Sequence, residues 1–203
     1  MAEARWARTV TSESSNTPAG PGTPAESDFY PEVVGSRVVH KGRVVTLRVD
    51  EITTPGGQVV TREVVEHPGA VVIIALDDEG LLYLVRQYRH ALGRYLLELP
   101  AGGLEPGEEP LAGARRELRE EVGLEADRWT ALGSFFSSPG FANELLHVFL
   151  AQGLVPGESD PDDDEDLSVV RYPLTGLQSL AQDLCDAKSL AALHLLEAHQ
   201  KQA

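Results

Sequence analysis

The stretch Gly69 to Leu76, GAVVIIAL, carries no polar side chain, and LLYLVRQYR follows it after Asp77-Asp78-Glu79-Gly80. A continuous apolar run closed by turn residues reads as a strand of the core sheet, and the two segments together read as a hairpin. No apolar run in the chain approaches the roughly eighteen residues that a membrane helix needs. With 203 residues and 42% hydrophobic content, the chain is long enough and apolar enough to bury a core.

The texture changes on either side of that hairpin. Residues 1–30 contain TSESSNTPAGPGTPAES, a composition that cannot offset the entropy of ordering, and are expected to form a disordered tail. From Gly35, SRVVHKGRVVTLRVDEITTPGGQVVTREVVEH alternates valine with polar residues around the turn signal Pro55-Gly56-Gly57, predicting a small antiparallel unit of about three strands. That unit is expected over 31–66, followed by a second domain over 67–203. Further on, LLELPAGGLEPGEEP reads as a strand end and a long loop. WTALGSFFSSPG and ELLHVFLAQGL read as strands flanking a loop, DPDDDEDLSVVRYPL as an acidic loop leading into a strand, and residues 177–199 as an amphipathic closing helix.

Charge narrows the partners. The net charge of −15 disfavours a nucleic-acid polymer or an anionic membrane surface. Fifteen of the thirty-two acidic residues lie in Glu98–Glu125 and Glu158–Asp166, so an anionic substrate bound there needs cations to mediate it. The single Cys185 cannot form an internal disulfide, and the N-terminus lacks a secretory pattern; both lead to the expectation of a cytoplasmic protein.

The most concentrated charge lies in RRELREEVGL, Arg115–Leu124. Pro110 suits a first helical turn, Leu111, Ala114, Leu118 and Val122 recur at helical spacing, and Gly123 suits a C-terminal cap, predicting a helix over 110–122. Glu117, Glu120 and Glu121 then share the face opposite the apolar one. Like charges at i, i+3 and i+4 repel, although Arg116 offsets part of this through Glu120. A divalent cation reverses the sign of that energy, and Mg²⁺ is the natural occupant of an all-oxygen site. Taken alone, the stretch also reads as a solvated charged helix.

Upstream residues decide between these readings. Gly102, five residues, Glu108, seven residues, Arg116-Glu117-Leu118, one residue, Glu120-Glu121, one residue and Gly123-Leu124 reproduce every specified position of one box. Here the sequence resembles the Nudix hydrolase family, and by average residue usage a chance match has odds below roughly one in a million. The resemblance implies an α/β fold: an α/β/α sandwich around a mixed β-sheet, with the small N-terminal antiparallel β unit beside it. It also implies Mg²⁺- or Mn²⁺-dependent hydrolysis of a nucleoside diphosphate linked to another moiety. By the resemblance, Glu117, Glu120 and Glu121 match metal-binding glutamates. Arg116 and Glu108 match the pair that braces the loop against the helix, and Gly102 and Gly123 match backbone-determined positions.

Residues outside the box point to a subgroup. SSPGFANE, with Pro139 sixteen residues after Gly123, looks like the ADP-ribose pyrophosphatases, as do REVVEHPGAVVIIAL and RQYRHALGRYLLELPAGGLEPGE. That likeness spans roughly residues 37–199. It implies that Glu144 acts on the attacking water and that Arg62 and Arg89 contact substrate, a task for which guanidinium forks suit diphosphate oxygens. It further implies that Glu98 lies near the metal site among the substrate-binding groups, and that the Ala101 carbonyl ligates metal. Ala142-Asn143 departs from the more usual Thr or Ser followed by a small polar residue. Phe141 in the same loop is equally a base or ribose contact and a packing anchor.

Other signals fail on specific positions. Asp160, Asp162 and Asp164 match the start of a calcium loop, but Glu165 stands where its Gly belongs and Arg171 where its Glu belongs. Glu165 remains a minor candidate base. No phosphate-binding Gly-x4-Gly-Lys-Ser/Thr loop and no Gly-x-Ser-x-Gly elbow is present, and the histidines show no zinc spacing. The expected function is hydrolysis of ADP-ribose to AMP and ribose 5-phosphate by a homodimer whose N-terminal strands exchange contacts between subunits. The alternatives are a hydrolase of another nucleoside diphosphate sugar or dinucleotide, and a non-catalytic nucleotide-binding regulator.

Overall fold

The structure, a computed structural model, describes residues 28–157, 167–174, 180 and 184–201. Most of the expected N-terminal tail, the acidic loop 158–166 with Glu165, and part of the expected closing helix lie outside the described residues. Three strands, β1 (Val33–Lys41), β2 (Thr46–Thr53) and β3 (Val59–Glu66), form an antiparallel sheet in the order β1-β2-β3. The Pro55-Gly56-Gly57 turn joins β2 to β3, whose register runs from Thr46 opposite Glu66 to Thr53 opposite Val59.

A second sheet of seven strands carries the core. It contains β4 (Ala70–Leu76), β5 (Leu81–Arg89), β6 (Arg94–Glu98), β7 (Ala101–Gly103), β8 (Leu124–Phe136), β9 (Leu145–Pro156) and β10 (Leu167–Pro173). Its path is β10-β5-β4-β9-β8, with β6 beside β5 and β7 beside β4. The β4–β9 pair is parallel and the others are antiparallel, so the sheet is mixed.

Two helices, α1 (Pro110–Glu117) and α2 (Ala187–Gln200), cover opposite faces of this sheet. The GAVVIIAL stretch shows why. In β4, Ala70, Val72 and Ile74 face a cluster with Ala192, Leu193 and Leu196 of α2, while Val71, Ile73 and Ala75 face one with Ala114 of α1 and Leu118. A strand buried on both faces has no polar side to offer, and alternation delivers its apolar residues to two separate cores. The layering is therefore the Nudix-type α/β/α sandwich around a mixed sheet.

Two helical expectations change in detail. The predicted helix over 110–122 is α-helical only to Glu117; Leu118–Val122 forms a π-helical turn ended by Gly123 at φ 70°. The wider turn, with its extra residue, rotates the residues that follow, and Glu121 falls inside at 5% exposed; Glu117, at the end of α1, is buried too, at 9%, rather than on an open face. Leu111 is exposed and does not join the core. At the other end, the described helix begins at Ala187, because the Asp186 side chain accepts from the Ser189 amide and caps it there.

Candidate active site

The box residues converge on Arg116. Its Nε and Nη2 donate to the two Glu108 oxygens at 3.0 Å each, and Nη1 donates to Glu117 at 2.6 Å and Glu120 at 2.8 Å. Nη2 also reaches the Gly103 carbonyl at 2.9 Å. One guanidinium thereby ties the loop that follows β7 to the helix and spaces its carboxylates. The hydrogen bonds that Arg116 donates to Glu108, reinforced by those to Glu117 and Glu120, raise the Arg116 pKa above its ordinary value against the opposing effect of burial. Conversely, the Arg116 hydrogen bonds hold the Glu108 carboxyl below the usual range.

Backbone approach completes the cluster. The Ala101 amide donates to Glu121 at 2.9 Å, bringing β7 against the π-helical turn. A Cβ on Gly102 would lie 2.0 Å from the Glu117 carboxyl, so only glycine lets this carboxylate sit over the strand. Beside them opens a cleft of about 450 Å³, lined by Arg43, Gly102, Gly103, Glu105, Arg116, Glu117 and Glu120. Hard oxygen donors, an excess of carboxylate over cationic charge and a glycine cradle fit a divalent cation. Among the described residues no three acidic, histidine or cysteine side chains are already drawn to metal-ligating distance. Glu117, Glu120 and Glu121 are the carboxylates that would hold such a cation, with Arg116 beside Glu117 and Glu120.

The second loop comes from the far side of β4. Because β7 and β9 flank β4, with Gly102 opposite Val71 and Val71 opposite His147, the start of β9 lies two strands from the box loop, about 10 Å away. Glu144 immediately precedes β9, and its carboxylate lies 3.6 Å from His67 Nδ1. The loop is stapled to the end of β3: Val65 donates to the Phe141 carbonyl, Asn143 donates to Val65, and Asn143 Oδ1 accepts from the His67 amide at 2.8 Å. Asn143, the departure noted in the sequence, is thus the side chain that fixes the loop. Phe141 is exposed and does not anchor a core.

The three residues expected to bind substrate separate. Arg89 and Glu98 meet each other, with Arg89 Nε and Nη2 on the two Glu98 oxygens at 2.8 Å each. Glu98 is 2% exposed and also accepts from Lys188. A buried carboxylate needs cationic partners, and it has two. Arg62 is exposed on β3 opposite Asp50 and donates to the Thr61 carbonyl at 2.8 Å. Arg43 and Lys188 had no local sequence signal, because each reaches its place through distant pairing.

The geometry has its counterpart in known proteins. The NUDIX domain family matches residues 65–193, and the nucleoside diphosphate sugar hydrolase N-terminal domain matches residues 32–65, which span the three-stranded sheet. The chain belongs to the Nudix hydrolase family. It is 48% identical over 153 residues to an ADP-ribose pyrophosphatase of Mycobacterium tuberculosis, covering 74% of this chain and 73% of that one. It is 39% identical to an ADP-ribose pyrophosphatase of Bacillus subtilis, covering 82% of this chain and 92% of that one. Among solved structures, an ADP compounds hydrolase superposes with TM-score 0.78 at 28% identity, covering 88% of this chain and 98% of that one. This Nudix chain is thus a pyrophosphohydrolase by family.

Proposed function

We propose that this chain hydrolyses the diphosphate bond of ADP-ribose, giving AMP and ribose 5-phosphate, with Mg²⁺ or Mn²⁺ as its cation. The observation that carries the reading is the cluster Glu108-Arg116-Glu117-Glu120-Glu121 folded over Gly102, in a chain whose relatives include two ADP-ribose pyrophosphatases. Glu117, Glu120 and Glu121, with the Ala101 carbonyl, would hold the cation. When bound, such an ion neutralises diphosphate charge and lowers the pKa of a water.

The remaining work falls to the protein. Arg62 and Arg89 orient the diphosphate through charge-assisted hydrogen bonds. Glu144 takes the proton of the water whose oxygen adds to phosphorus, and the phosphoanhydride bond to the other phosphorus breaks, so that both products leave as phosphate monoesters. Arg116 and Glu108 keep the carboxylates spaced, and Gly123 ends the helix that presents them. We further read the protein as a cytoplasmic homodimer in which the second copy covers exposed valines of β1; among the described residues no helix is long and apolar enough to cross a membrane.

A panel of nucleotides with Mg²⁺ tests this. ADP-ribose should show the highest kcat/KM, with AMP and ribose 5-phosphate as equimolar products. Turnover no better than that of a nucleoside triphosphate would contradict the substrate assignment.

A further inference from the structure

The loop that carries Glu144 is built on the edge of the N-terminal sheet. Strand β3 ends that sheet, so one side of its backbone has no further strand of the same sheet beside it. Opposite Leu47 of β2, Val65 turns its N–H and C=O outward, and His67, two residues on, turns its N–H the same way. The loop between β8 and β9 takes all three groups. Val65 donates to the Phe141 carbonyl at 2.8 Å, and the Asn143 amide donates to the Val65 carbonyl at 3.2 Å. The third group, the His67 amide, is met by the Asn143 side chain, whose Oδ1 accepts at 2.8 Å. Beyond Asn143 the main chain leaves β3 and enters β9, so this side chain supplies a bond that the departing backbone cannot.

We propose that Asn143 is a positioning residue for Glu144: by extending the pairing with β3 one bond further, it sets where the carboxylate meets the attacking water. This rests on Glu144 as the base of the ADP-ribose reaction. A base must keep an oxygen open for the proton it takes, which limits how far side-chain partners can fix it. Among the described residues, the Glu144 carboxylate faces His67 Nδ1 at 3.6 Å, beyond hydrogen-bond reach. That nitrogen accepts instead from the Gly69 amide at 3.2 Å. The carboxylate therefore takes its place from the backbone. On one side the Ser137 amide donates to the Glu144 carbonyl, and on the other Asn143 holds the chain to β3.

Distance makes that placement sensitive. Glu144 stands two strands from the box loop, so a tilt of its own loop on β3 is carried to the point where base, water and cation site meet. A displacement of about 1 Å can cost up to roughly a hundredfold in rate. Asn143 is itself exposed, and two backbone bonds hold the loop without it, so its loss shifts the loop rather than unfolding the chain. Of the three bonds to β3, this is the one that depends on side-chain identity.

The test is steady-state kinetics with ADP-ribose and Mg²⁺, beside ADP-ribose binding by calorimetry in EDTA. Asn143→Ala should lower kcat about tenfold while KM and Kd stay within about twofold, and Tm should fall by no more than about 4 °C. Asn143→Asp, which keeps an acceptor oxygen at the same reach, should restore most of kcat. In a Glu144→Gln background, Asn143→Ala should remove less than about another twofold, because the group it positions is gone. If Asn143→Ala does not fold, Asn143→Ser, whose oxygen ends one bond short, carries the same expectation. An unchanged kcat, a rise in KM and Kd in its place, or a loss of the same size beside Glu144→Gln would overturn the inference. With Glu144→Gln impaired, such a result leaves the base reading standing, whereas an unimpaired Glu144→Gln overturns both.

Discussion

Arg116 is the residue on which the box depends, because it satisfies three carboxylates and a carbonyl at once. Its bond to Glu108 has a pH signature. The folded Glu108 pKa is depressed, so its contribution to stability is complete above the unfolded value of about 4.3 and is lost as pH falls through the folded value. Thermal melts of Glu108→Gln should therefore lie below wild type at pH 7, with the gap closing in acid. A gap that is constant with pH would contradict the pairing. Gly102→Ala separates activity from stability. The atoms its Cβ would meet are the end of the Glu117 side chain, which can swing aside, so the chain should fold while the carboxylate leaves its place. Turnover should fall by about a hundredfold or more, with Tm nearly unchanged.

At the scale of elements, local signals carried most of the fold. The β4–β5 hairpin, the three N-terminal strands and the helix start at Pro110 were all legible, because each depends on residues adjacent in sequence. The π-helical turn was not. Its register follows from how Glu121 meets the Ala101 amide, a contact across 20 residues that no helical periodicity encodes. The same reason hid the partners of Asn143 and Ser189, which lie 76 and 90 residues away. The box spacing named the carboxylates, but the fate of Glu98 depended on Lys188 arriving from α2. Two substitutions probe this scale. Gly123→Ala forces a side chain into the left-handed region and should cost about 1 kcal/mol in urea denaturation. Ile73→Ala opens the α1-side core and should cost about 2 to 5 kcal/mol, which a surface position would not.

For the whole molecule, the three-stranded sheet leaves Val33, Val34, Val38 and Val39 of β1 exposed, an apolar strip that a second copy can cover. Light scattering should return twice the 21.9 kDa chain mass, and Val38→Lys should shift it toward the monomer. A monomeric wild type would contradict the assembly. Arg43 between β1 and β2, the glycines of β7, Glu105 and the Arg116, Glu117 and Glu120 side chains meet around one acidic cleft, and the central claim is that this cleft works as a cation-dependent diphosphate hydrolase. The most direct measurement is the rate of ADP-ribose cleavage with and without Mg²⁺, in wild type and Glu120→Gln. Wild type should show Mg²⁺-dependent turnover, and the folded variant a loss of about a hundredfold or more. Equal rates in EDTA, or an unimpaired Glu120→Gln, would contradict it.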